Sequence, residues 1–154
     1  MSIHVRSMRL ADLDKVYVIE CAAHKSPWSL SILRDCINLG YDCRVLEETD
    51  ADSNQMIGYI ICRYREDSCH ILNLCIASTA QGKGYGQYLL EMMLKSLQKN
   101  SIKTVLLEVR PSNKKALDLY TKSGFEQAGT KRGYYRDSLG TEDAIVLKKI
   151  LRTD

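Results

Sequence analysis

The chain has 154 residues, of which 45% are hydrophobic and 27% charged, a balance that excludes a disordered or fibrous protein and allows one domain with a sizeable core. Its net charge of +3 is too small to argue for nucleic acid, and no apolar stretch approaches the length of a membrane span. With Met1-Ser2-Ile3-His4-Val5-Arg6 lacking the apolar core of a signal peptide, the expectation is a single cytoplasmic domain over residues 1–154 with no membrane or direct nucleic-acid partner.

Along the chain, the alternation Ile3-His4-Val5-Arg6 predicts a short strand. Residues 11–24 read as a helix with Leu13, Val16, Tyr17 and Cys21 on its inner side, broken by Pro27. Ser29 can cap a second helix running to about Leu39 and closed by Gly40. Cys43–Glu47, Met56–Tyr64 and residues 69–77 read as strands, with polar turns at 50–55 and 66–68. A helix over 85–99 follows, with Leu89, Leu90, Met93, Leu94 and Leu97 on one face. Thr104–Val109 is a mostly apolar strand, and Ser112 or Asn113 caps a helix ending at Ser123-Gly124. Phe125–Thr130, Gly133–Arg136 and Asp143–Ile150 read as three closing strands. The order β-α-α-β-β-β-α-β-α-β-β-β gives an α/β fold with a mixed sheet flanked by helices.

Three features carry chemistry. Gln81-Gly82-Lys83-Gly84-Tyr85-Gly86 joins a strand to a helix, an arrangement that presents backbone N–H groups and a positive dipole end to a phosphate. The half of the chain that holds it, residues 78–154, carries 14 Lys/Arg against 8 Asp/Glu, whereas residues 1–77 carry 8 against 11 and could face a cationic substrate. Glu108 lies inside Val105-Leu106-Leu107-Glu108-Val109. Such a carboxylate either reaches solvent at the strand's end or sits in a cleft with a raised pKa, suited to act as a base. Tyr120 shares a helical face with Ala116 and Leu117 and reads as a half-buried aromatic or as a hydroxyl donor. The six cysteines include no C-x-x-C pair and show no zinc-ligand spacing with His4, His24 or His70, so no metal is expected and the thiols read as reduced, small apolar side chains.

The glycine turn with the downstream Asn113-x₆-Tyr120 resembles the GNAT superfamily of acetyl-CoA-dependent N-acetyltransferases, through Gln81, Gly84 and Gly86 of its Q/R-x-x-G-x-G/A motif. Residues 107–113, Ala116–Tyr120 and Ser123–Phe125, with His24-Lys25-Ser26-Pro27-Trp28-Ser29, Arg132–Tyr135 and Glu142–Ile145, are similar to its RimI-like branch. That branch acetylates the N-terminal alanine of a small-subunit ribosomal protein. Ala77-Ser78 stands where the branch often has Asp-Pro.

The resemblance implies the GNAT fold, a mostly antiparallel central sheet, and acetyl-CoA as co-substrate. It implies that Leu74, Cys75 and Ile76 pair their backbone with the pantetheine arm, that Gln81, Gly82, Lys83, Gly84, Tyr85 and Gly86 bind the pyrophosphate, and that Asn113 holds the thioester end. Glu108 would be the general base and Tyr120 the general acid of a direct transfer, with an N–H near Cys75 or Ile76 receiving the oxyanion. Trp28 on one side and Tyr134 and Tyr135 on the other would wall a peptide groove, with Glu20 either meeting the substrate's amino end or capping a polar network. A protein N-terminus, as on a ribosomal protein, would be the acceptor. Competing readings are a free small amine as acceptor, a non-catalytic acyl-CoA-binding module, and a covalent route through Cys75, beside which the sequence places no histidine base.

Overall fold

A computed structural model describes residues 2–152; Met1 and the tail residues Thr153 and Asp154 lie outside the described residues. Seven strands form one sheet: β1 (Ser2–Ser7), β2 (Asp42–Thr49), β3 (Asn54–Arg65), β4 (Ser68–Ile76), β5 (Thr104–Val109), β6 (Glu126–Asp137) and β7 (Gly140–Ile150). Four helices flank it: α1 (Leu13–Ala23), α2 (Leu30–Asn38), α3 (Tyr85–Lys99) and α4 (Lys114–Lys122). The strands lie in the order β1-β2-β3-β4-β5-β7-β6, antiparallel except for β4 beside β5. This is the mixed, mostly antiparallel sheet expected.

Local signals account for most boundaries. The Ser29 hydroxyl accepts the Ile32 N–H at 3.1 Å and starts α2, and the Asn113 side-chain oxygen accepts the Ala116 N–H at 3.2 Å and starts α4. All five apolar positions picked for α3 are buried. The first helix is different: it buries Leu13, Val16, Ile19 and Glu20, while Tyr17 and Cys21, expected inside, lie at the surface. Glu20 takes the inward place because polar partners wait for it there. The chain's end also differs, with two strands instead of three. Register shifts at Gln127/Gly129 and Lys131/Tyr135 are bulges within one continuous β6, and the Gly133 N–H at the second is tied to Asp143 Oδ1 at 2.8 Å.

Two apolar clusters sit on opposite faces of the sheet, one under α3 and α4, the other under α1 and α2. The middle of the sheet is where they meet the site. β4 and β5 pair only from Ser68–Thr104 to Ile71–Leu107. At the same point Leu72 is an extra residue against β3, since Cys62 opposes Ile71 and Ile61 opposes Asn73. This bulge changes which side chains face which core: Cys69 and Ile71 join the α3 cluster, but past Leu72 it is Leu74 and Ile76 that pack there while Cys75 turns to the α1 side.

Past the bulge, at the end of β4, β3 and β4 approach closely at Gly58, where a Cβ atom would stand 2.5 Å from the Cys75 carbonyl oxygen. The obstruction is backbone and cannot turn aside. Gly58→Ala is expected to cost about 2–3 kcal/mol, in the range of overpacked cores, read as a lowered urea midpoint with an unchanged slope.

Candidate active site

The glycine turn forms as expected. Gly84 holds the first position before α3 with φ 83°, a conformation that side-chain-bearing residues rarely adopt, and so lets the free N–H groups of α3 face outward. Gln81 Nε2 donates to the Ile76 carbonyl oxygen at 3.1 Å and braces the turn from behind. Beside it lies a groove of about 640 Å³. Its walls include Leu74, Cys75 and Ile76 of β4 and Gln81, Gly82, Gly84, Tyr85 and Gly86 of the turn; Lys83 is not among them. Asn113, at the start of α4, and Ala116 and Tyr120 of α4 close the groove, with Lys115 adding positive charge and Lys122 paired to Asp118 at 2.9 Å.

A second cavity of about 300 Å³ opens between the α1–α2 loop and the β6–β7 hairpin. It gathers Glu20, Trp28, Glu108, Tyr120, Tyr134 and Tyr135, residues spread over more than a hundred positions of sequence. His24, Leu74, Asn113, Ala116 and Tyr120 line both spaces and form the throat between them.

Glu108 sits in the cleft, as one of its two readings required, but its charge state is the reverse of the one expected there. One oxygen accepts a hydrogen bond from His70 Nε2 and the other from Lys131 Nζ, the latter at 2.6 Å. Burial penalises its charge, yet the hydrogen bonds and charges of His70 and Lys131 outweigh that penalty and hold the carboxyl at about 2. His70 Nδ1 lies 3.3 Å from the Arg63 guanidinium on its other side. Tyr120 is buried and packs edge-on to Phe125 with ring centres 5.5 Å apart. Burial, first of all, raises its phenol above the ordinary value, so the hydroxyl remains a donor.

Glu20 caps a polar network. It is 1% exposed, and it accepts from the Tyr59 hydroxyl, from Asn73 Nδ2 at 2.7 Å and from the Trp28 N–H at 2.9 Å. The last bond ties the loop bearing Trp28 to α1. Behind the opposite wall Glu142 accepts from the Ser112 N–H and hydroxyl at 2.8 and 2.9 Å and from the wall residue Arg110 at 3.1 Å. The Arg110 guanidinium lies 4.3 Å over the Tyr135 ring, and Lys131 lies 5.1 Å over that of Tyr134.

His70, Lys131, Asn73, Tyr59 and His24 escaped the sequence reading because their partners are distant in the chain. His24 is the sharpest case. The histidine that sequence spacing does not place beside Cys75 stands there, Nε2 to Sγ at 3.0 Å. Burial pushes the Cys75 thiol up to about 12, so the pair does not hold a ready thiolate nucleophile.

Known proteins resemble this chain in fold and sequence. The model of the Acetyltransferase (GNAT) family matches residues 10–125. A [ribosomal protein bS18]-alanine N-acetyltransferase of Haemophilus influenzae is 36% identical over 144 residues, 93% of this chain and 95% of its own. Its counterpart from Escherichia coli is 34% identical over 143 residues, 93% and 94% of the two chains. A crystal structure of the ribosomal-protein-S18-alanine N-acetyltransferase from Escherichia coli superposes with a TM-score of 0.89 at 31% identity, over 99% of this chain and 96% of that one. The chain belongs to the GNAT family of N-acetyltransferases, enzymes that depend on acetyl-CoA.

Three N–H and O–H donors converge on the two Glu20 oxygens. Glu20→Gln, which replaces one acceptor by a donor, is expected to leave a buried polar group unmatched and to lower stability by about 1–3 kcal/mol, measured by urea unfolding at pH 7.

Proposed function

We propose that the protein transfers an acetyl group from acetyl-CoA to the N-terminal α-amine of a protein, and that the acceptor is the N-terminal alanine of the S18 ribosomal protein, the substrate named for its relatives. The observation that carries this reading is the pair of spaces meeting at a throat beside Tyr120, one shaped for the cofactor and one walled by Trp28, Tyr134 and Tyr135. One domain over residues 1–154 carries both, acting in the cytoplasm where ribosomal proteins are made.

In this reading the pantetheine arm lies along β4 from Leu74 to Ile76, where β5 no longer occupies the neighbouring edge, and takes main-chain hydrogen bonds in the manner of an added strand. The pyrophosphate meets the N–H groups ahead of α3. Asn113 keeps its oxygen for the helix cap and turns its amide NH₂ to the thioester end. No helix of the described residues is long and apolar enough to cross a membrane.

A peptide α-amine has a pKa of about 7.7–8.0 and enters mostly as the ammonium at pH 7. Glu108 receives it, directly or through a water, in place of the half-exposed Lys131, whose ammonium already shows the position a cation takes there. The amine gives up its proton to Glu108 and onward to solvent, and its lone pair attacks the thioester carbonyl. A β4 N–H bonds the oxyanion of the tetrahedral intermediate. As the C–S bond breaks, Tyr120 donates its hydroxyl hydrogen bond and then its proton to the departing thiolate. The proton that the new amide nitrogen loses restores the phenol. No acyl-enzyme intervenes.

The low pKa of Glu108 sets a definite pH signature. A carboxylate at about 2 is ionised throughout the working range, so the acidic limb of kcat/KM should follow the substrate amine alone. Glu108→Gln is therefore expected to lower kcat/KM by about 10²–10³ by the same factor at every pH from 6 to 9. A deficit that shrinks toward low pH, as the wild type loses its ionised base while the variant has none to lose, would show a Glu108 of much higher pKa. Linkage gives a second check: a depressed carboxyl pKa stabilises the fold above the unfolded value near 4.3, and that increment should disappear as acid titration passes from about pH 4 toward 2.

Tyr120→Phe is expected to reduce kcat about 10²-fold while the Kd for acetyl-CoA changes little, and an unaltered kcat would remove Tyr120 from the proton path. The substrate reading is tested by thiol release with S18 N-terminal peptides differing only in the first residue, beside free polyamines. Turnover confined to free amines would leave the fold and cofactor in place but discard the peptide acceptor.

A further inference from the structure

We propose that Glu20, His24 and Cys75 form a binding site for a thiophilic divalent cation, zinc first among them, at the throat between the two cavities. The three donor atoms already face one another, with Cys75 Sγ to His24 Nε2 at 3.0 Å, His24 Nε2 to Glu20 Oε1 at 3.4 Å and Cys75 Sγ to Glu20 Oε1 at 3.8 Å. Ligands sharing a tetrahedral zinc through bonds of about 2.0–2.3 Å stand about 3.3–3.6 Å apart. The cluster thus needs only small adjustments to close around one ion. Asn73 Oδ1 lies 3.3 Å from the same imidazole nitrogen and 3.2 Å from the same sulfur, a fourth oxygen within reach.

The donor chemistry narrows the ion. One thiol, one imidazole and one carboxylate suit zinc and its neighbours and do not suit magnesium or calcium, which take oxygen ligands. The carboxylate is oriented from outside by Tyr59, Asn73 and the Trp28 N–H, as the ligands of built metal sites are. Entry is open, because His24 lines both cavities and its side chain is 38% exposed. Binding replaces the S–H bond of Cys75 by a metal–sulfur bond and sends the proton to solvent. Affinity must rise with pH for that reason.

An ion there would stand among residues that border both spaces and would obstruct contact between acceptor and thioester. Metal binding itself stands independently of the acceptor's identity, whereas this inhibitory effect rests on the reading of the two cavities given above.

Cobalt(II) is the probe, added to the metal-stripped full chain carrying Cys21→Ser, which removes the exposed thiol. One cobalt per chain with thiolate-to-cobalt charge transfer in the near ultraviolet is expected, bleached by stoichiometric zinc and tightening as pH rises from 6.5 to 8. Cys75→Ala should abolish the band, and His24→Asn, at a half-exposed side chain, should weaken cobalt binding at least tenfold with the circular dichroism unchanged. No band, or a band that survives Cys75→Ala, overturns the site. Zinc should inhibit turnover at the concentration that bleaches the cobalt band, and full activity of the zinc-saturated chain would overturn its blocking role.

Discussion

The structure depends on the point in β4 where two things happen at once: pairing with β5 stops after Ile71, and Leu72 is bulged out against β3. Backbone hydrogen-bonding groups left without a partner inside a protein are costly, so a parted pair of central strands persists only where something else can occupy the edge. The bulge then decides what each side of the opening offers. Leu74 and Ile76 turn toward the α3 core, while Asn73 and Cys75 turn toward α1 and Glu20. Without the extra residue these faces would be exchanged, placing an amide and a thiol against the leucines of α3 and two apolar side chains against a buried carboxylate.

Charge is handled in two distinct ways around that opening. Glu20 is satisfied by neutral donors and works as a fastener for the Trp28 loop. Glu108 is held by two basic side chains, His70 and the half-exposed Lys131. The −3 balance of the first half of the chain does not create an acidic groove: Glu20 is its only acid in the cavity wall, and Lys25, Arg110 and Arg136 line the same wall. On the function proposed above, recognition of the acceptor would fall to the aromatic side chains and to the ionised Glu108.

The sequence made the fold legible wherever local physics decided it. Glycines ahead of an apolar stripe defined α3, Ser29 and Asn113 marked helix starts, and an acid in an apolar strand singled out Glu108. It misled where a tertiary partner decided. By hydropathy Tyr17 and Cys21 suit the inside of α1 better than Glu20 does, and it is Tyr59 and Asn73, on other strands, that draw Glu20 inward instead. Gly133 reads as a break in any local scheme, but Asp143 across the hairpin makes it a bulge. The depressed pKa of Glu108 needs His70 and Lys131, 38 and 23 positions away, and no spacing rule connects them. The same holds for His24 and Cys75, 51 positions apart.

The two spaces touch at five residues and otherwise share no wall. The chain in effect offers two adjoining open spaces that meet only at that constriction. Each molecule can arrive and depart through its own door without passing the other. On the function proposed above, spent carrier would not need to wait for the modified acceptor to leave, because the two occupy different spaces. On that reading, an acceptor whose reactive nitrogen cannot reach the constriction is excluded, which would make reach, as much as affinity, a condition for being a substrate.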